Sequence, residues 1–129
     1  MKALLDTHVW LWYLLGDARL STLQRQWIEN EQVELWLSPV SLWEAHLVIE
    51  RGRIPVTGSA ARWLEAALRV LPVSEAVLTF PIAIRSRVVE LDHPDPADRF
   101  IVATALELKM TLLTSDQRLV RCPDLDCVS

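Results

Sequence analysis

The feature that most constrains this chain is the alternation of short apolar runs with longer stretches of helical periodicity, each bounded by a capping or breaking residue. Residues 2–5 read as a buried strand, and Thr7 to Leu15 as an apolar, tryptophan-rich helix that stops at Gly16. A second helix is predicted from about Ser21 to Glu31, a second strand over Glu34 to Leu37, and a helix opened by Ser38-Pro39 that reaches Arg51 and ends at Gly52. Past the Pro55–Gly58 turn, Ser59 caps a helix through Leu68, Val70 to Val73 read as a third strand, and Ser74 opens a helical stretch that Pro81 splits in two. Asp95-Pro96 starts a helix that runs to about Lys109. Thr111 to Leu113 follow as a fourth strand, Ser115-Asp116 turn into one short helix, and the tail adds an edge strand. Strands alternating with helices imply an α/β fold of three layers, with a mainly parallel central sheet of four or five short strands flanked by helices.

A chain of 129 residues suits one domain, long enough to bury about two-thirds of the surface its unfolded form exposes. Its net charge of −4 argues against gripping nucleic acid through a broad basic surface, so a polyanion would need metal ions and local arginines to offset the acidity. Eleven of the thirteen basic residues are arginines, the side chain suited to forked phosphate contacts. Glycine occurs only at 16, 52 and 58, which excludes both a dinucleotide fingerprint and a P-loop. Cys122 and Cys127 match neither a redox nor a paired zinc motif and read as ordinary thiols. Asp6 and His8 interrupt the apolar start, which is therefore not read as a signal peptide; a cytoplasmic protein without membrane attachment is expected.

Sites in open parallel sheets form beyond the carboxyl ends of the strands, and Asp6 and Asp116 each directly follow a predicted strand. Each also has a structural explanation, as the cap of the next helix. Glu44 projects between Val40 and Val48, close to Leu47, on the apolar side of its helix. A carboxylate facing a core pairs with a cation, protonates or binds metal. Asp98 repeats the pattern on the stripe of Ile101, Val102 and Ala105, where stabilisation by the helix dipole is the alternative. Asp95 reads as that helix's N-cap, helping to order the site without binding metal itself. Four converging carboxylates make sense around a divalent cation, since they would otherwise repel one another. Oxygen-only ligands favour Mg²⁺ or Mn²⁺, because zinc recruits His or Cys and no H-x-x-x-H or C-x-x-C pair is present. Mg²⁺ sites are typically completed by substrate phosphates, which points to phosphodiester chemistry. Asp6, Asp98 and Asp116 are the expected ligands, with Glu44 either a ligand or the group that orients water and takes its proton. Thr7 and Ser115 are candidates to hold the neighbouring carboxylates by hydrogen bonds. Arg99 and Arg118 are candidates for phosphate contacts.

Four elements in order, Leu4-Leu5-Asp6-Thr7-His8-Val9-Trp10, Ser38-Pro39-Val40-Ser41-Leu42-Trp43-Glu44, Asp95-Pro96-Ala97-Asp98-Arg99 and Leu113-Thr114-Ser115-Asp116, give the chain a resemblance to PIN-domain nucleases. It most resembles the VapC-type toxins of prokaryotic toxin–antitoxin pairs. The resemblance implies a PIN-like fold and a metal-dependent endoribonuclease that cuts cellular RNA, with Asp6, Glu44, Asp98 and Asp116 at the family's acidic positions. It further implies a homodimer, and a cognate VapB-like antitoxin that lies in an apolar groove and blocks the acids. Pro94 and Pro81 depart from the family pattern, outside the acids. Six tryptophans are many for this length, and some are candidates for the antitoxin groove or dimer contact. Two other readings stand beside the nuclease. One is a non-catalytic module that keeps the fold and the antitoxin interface. The other is a phosphatase-like Rossmannoid, which His8 argues against by occupying the second acid position of the D-x-D motif.

Overall fold

The computed structural model describes all residues, 1–129. Five strands, β1 (Lys2–Leu5), β2 (Glu34–Leu37), β3 (Ser74–Glu75), β4 (Thr111–Leu113) and β5 (Cys127–Val128), form one sheet in the order β3-β2-β1-β4-β5, with every pairing parallel. Seven helices cover it: α1 (Thr7–Leu15), α2 (Thr22–Glu29), α3 (Pro39–Glu50), α4 (Ala60–Val70), α5 (Phe80–Val88), α6 (Pro96–Leu108) and α7 (Gln117–Val120). Both sheet faces are buried, as a parallel sheet requires. Ala3, Leu5 and Leu113 point into a core shared with α1, α3 and α4, while Leu4 and Leu112 point into a second core with Ile101, Val102 and Leu119. This is the two-residue alternation of a strand expressed as two hydrophobic layers.

The first strand lies at the centre of the sheet, and the chain passes to β2 on one side before returning to β4 on the other. The carboxyl ends of β1 and β4 therefore flank the point where strand order reverses, the position where an open sheet leaves a crevice. Register completes the placement: Leu5 pairs with Leu113, and the backbone N–H of Asp6 donates to the carbonyl of Leu113 at 3.0 Å. Packing of α3 against α6 brings the helix bearing Glu44 beside the one bearing Asp98.

Three expectations fail in the middle of the chain. The third strand is Ser74–Glu75, because α4 continues through Val70 and only residues beyond it reach Trp36 and Leu37 of β2. Ser74 therefore opens no helix. Pro81 does not break one either: it sits in the first turn of α5, where a missing N–H costs nothing, and Thr79 caps that helix by accepting from the N–H of Ile82 at 3.4 Å. Both cysteines are free thiols. No helix is long and apolar enough to cross a membrane.

Candidate active site

A cavity of about 330 Å³ opens at the carboxyl edge of the sheet, lined by Asp6, Glu44, Asp95, Asp98 and Asp116 together with His8, Val9, Trp12, Ser115 and Arg118. All four acids singled out from the sequence meet there. Asp6 reaches it as the residue that follows β1 and caps α1, and Asp116 as the cap of α7 after β4. Asp98 stands in the first turn of α6, and Glu44 comes from the middle of α3. Capping and site roles thus coexist, since a strand-end aspartate that caps a helix keeps lone pairs directed outward.

Each carboxylate is held differently. Asp6 is almost fully buried; its Oδ1 accepts from the N–H of Thr7 at 2.8 Å and its Oδ2 from the hydroxyl of Thr114 at 2.7 Å. Burial raises its pKa and the nearby Glu44 adds to the rise, against the pull of Thr114, His8 and the Thr7 N–H. In Asp98, Oδ2 lies 2.5 Å from Nε2 of His93. Burial first, and then the negative charges of Asp6, Asp95 and Glu44, push the Asp98 carboxyl up to about 6 in spite of that hydrogen bond. Asp116 behaves in the opposite sense. Arg118 grips it through Nε and Nη2 at 3.2 and 3.0 Å and holds its carboxyl below the usual range. Glu44 is left with a buried Oε1 that has no hydrogen-bond partner.

The supporting residues differ from those expected. Thr7 holds Asp6 through its backbone, and its own buried hydroxyl is unpartnered. Ser115 touches no acid; its hydroxyl accepts from Nε2 of the buried Gln24 at 3.0 Å. Thr114 takes the expected part, donating to Asp6 and accepting from the N–H of Asp116 at 3.2 Å. Asp95 caps α6 through the N–H of Ala97, yet also lies within 4.8 Å of oxygens of Glu44 and Asp98, closer than a purely ordering role requires. Arg99, expected to meet phosphate, turns away from the cavity: its guanidinium donates to the carbonyls of Ser86, Arg87, Val89, Leu91 and His93. Five carbonyl acceptors satisfy a cation that packs against its own loop.

The donor set fits a divalent cation. Two overlapping groups, Glu44 with Asp95 and Asp98, and His93 with Asp98 and Asp116, each bring ligand atoms within 4.8 Å of one another. The buried, unpartnered Oε1 of Glu44 and the raised pKa values of Asp6 and Asp98 mark negative charge that the protein alone leaves uncompensated.

A parallel sheet with carboxylates gathered at its switch point defines a class, and the chain belongs to the PIN-domain family, whose model matches residues 3–125. It is 34% identical over 120 residues to Ribonuclease VapC22 of Mycobacterium tuberculosis, an alignment covering 90% of this chain and 88% of that protein. Its fold is similar to that in the crystal structure of VapBC2 from Rickettsia felis bound to a fragment of its promoter DNA, with a TM-score of 0.73 at 13% identity, over 99% and 98% of the two chains. It is also similar to VapC20 of Mycobacterium tuberculosis, a toxin that cleaves the sarcin–ricin loop, with a TM-score of 0.65 at 19% identity, over 96% and 98%.

Proposed function

We propose that this protein is a Mg²⁺- or Mn²⁺-dependent endoribonuclease toxin, restrained by a cognate VapB-like antitoxin. The observation that carries the chemistry is the gathering of carboxylate oxygens of Glu44, Asp95 and Asp98 within 4.8 Å of one another, with the buried Oε1 of Glu44 left without a hydrogen-bond partner. The likeness to a ribonuclease named VapC22 supports RNA as the substrate, and the fold shared with the VapC20 toxin supports toxin activity as its setting.

Asp6, Asp98 and Asp116 would hold the cation, with Asp95 and Glu44 beside them. When bound, the cation offsets the carboxylate charge, polarises the phosphate and makes a neighbouring water more acidic. Thr114 and the Thr7 N–H hold the Asp6 carboxylate in one orientation. The Glu44 carboxylate accepts the proton of the attacking water as the water oxygen closes on phosphorus. The ester oxygen on the opposite side leaves and takes a proton from solvent. Arg118, more than half exposed at the rim, is placed to meet an adjacent phosphate while it anchors Asp116.

A groove of about 420 Å³ runs from this cavity between α1 and the segment after α3, with an apolar floor of Leu11, Leu15, Val48, Ile54 and Pro55 and charged Asp17, Arg19 and Arg53 in its lining, and it shares His8 and Trp12 with the acidic pocket. An apolar antitoxin segment seated there would carry a basic side chain directly to the carboxylates. The homodimer is assigned to α5, whose outer face is apolar and exposed.

The test is incubation of antitoxin-free protein with a mixed RNA pool and Mg²⁺ or Mn²⁺, alongside Asp98→Asn and a chelator. Discrete cuts that disappear in both controls are the expected result. Uncut RNA with folded wild type and either metal would favour the non-catalytic module, and cleavage surviving Asp98→Asn would remove Asp98 from the site.

A further inference from the structure

The side chain of His93 is 6% exposed, and it comes from the segment between α5 and α6. Its Nε2 faces Oδ2 of Asp98 at 2.5 Å, and its Nδ1 is buried without a partner. An ionised Asp98 oxygen can only accept, so opposite it the ring carries its proton on Nε2, and in the neutral imidazole Nδ1 is then the acceptor. In this tautomer Nε2 is spent on Asp98 and Nδ1 is enclosed, so His93 takes part in its group with Asp98 and Asp116 by holding Asp98 and not as a ligand of its own. The other Asp98 oxygen is left for the cavity.

The segment carrying His93 is itself fixed. Nε of Arg99 donates to the carbonyl of Ser86 at 2.8 Å, Nη1 to those of Leu91 and His93 at 2.8 and 3.2 Å, and Nη2 to those of Val89 and Arg87 at 3.0 and 3.4 Å. This clamp ties the end of α5 and the following segment to the first turn of α6, next to Asp98 in sequence. We infer that His93, held in place by the Arg99 clamp, is a positioning residue that fixes the rotamer of Asp98 so that its free oxygen is presented to the divalent cation. The inference rests on the metal-dependent reading of the cavity.

Groups that orient a metal's ligands typically change affinity by about 10- to 100-fold when removed. The experiment is titration of Mn²⁺ into RNA-free protein by calorimetry, for wild type, His93→Gln, His93→Leu and Asp98→Asn, with the fold of each checked by circular dichroism. His93→Leu should bind Mn²⁺ about 10- to 100-fold more weakly. His93→Gln keeps an N–H donor at nearly the same reach, and should recover most of that loss. Wild-type affinity in folded His93→Leu would overturn the inference, as would equal losses in the Leu and Gln variants, which would make the imidazole itself a ligand. Should His93→Leu fail to fold, the Gln variant decides alone: near-wild-type affinity supports positioning, and a large loss contradicts it. Absence of Mn²⁺ binding by wild type would overturn the metal-dependent reading instead, and the inference with it.

Discussion

Asp98 carries a cost that the metal-free protein bears at neutral pH. A carboxyl moved from 3.8 to about 6 costs about 3 kcal/mol when fully ionised. The sign follows from proton binding: with the folded pKa raised, the folded state holds the proton more tightly than the unfolded one, so stability falls as pH rises from about 4 through about 6. Asp6 is raised as well and acts in the same direction. Asp116 and Asp17, lowered by Arg118 and Arg19, act oppositely, and their contribution is lost only as pH falls below the ordinary carboxylate range. Metal-free wild type should therefore lose melting temperature between pH 5 and pH 7.5 more steeply than Asp98→Asn, and saturating Mn²⁺ should flatten the wild-type curve. Parallel curves for the two metal-free proteins would show that ionised Asp98 is not a burden.

Helix ends set where the functional side chains emerge, and one of them isolates a pure backbone effect. Gly16 ends α1 at φ 64°, donating its N–H to the carbonyls of Trp12 and Tyr13, and a Cβ added there would meet nothing within 4 Å. The cost of Gly16→Ala is thus conformational alone, about 1–2 kcal/mol. Urea unfolding should show a lower midpoint with an unchanged slope; an unchanged midpoint would mean that the end of α1 relaxes without cost. Such punctuation is also why most elements were legible in the sequence: Ser21, Ser38, Ser59 and Asp95 all cap the helices they were expected to open. The third strand was misplaced because Val70 reads equally well as a helix residue or a strand residue, and only pairing with β2 selects Ser74–Glu75. At the site, the four acids were visible because they violate local pattern or follow strands. Thr114 was hidden because its link to Asp6 depends on the β1–β4 register, and His93 because its link to Asp98 depends on the segment that Arg99 clamps.

The whole molecule presents one face that its own fold does not use. Along α5, Phe80, Ile84 and Val88 fall one turn apart and are 88%, 67% and 73% exposed, with Val77 and Leu78 extending the patch. A two-fold contact centred on Ile84 would set Phe80 of one protomer against Val88 of the other, so the stripe is self-complementary. Ile84→Glu, which removes apolar burial at two equivalent positions and brings like charges together, should weaken dimerisation by at least about 100-fold. Sedimentation at graded concentrations measures this, and an unchanged dimer would move the contact elsewhere.

The claim on which the proposed chemistry depends is that the carboxylates at the sheet's switch point hold a divalent cation. Anomalous diffraction from crystals soaked in Mn²⁺ tests it most directly. A peak within coordination distance of Asp6, Asp98 and Asp116 is expected, and it should vanish in Asp98→Asn. An empty cavity in crystals of protein that cleaves RNA in the same Mn²⁺ buffer would contradict the assignment.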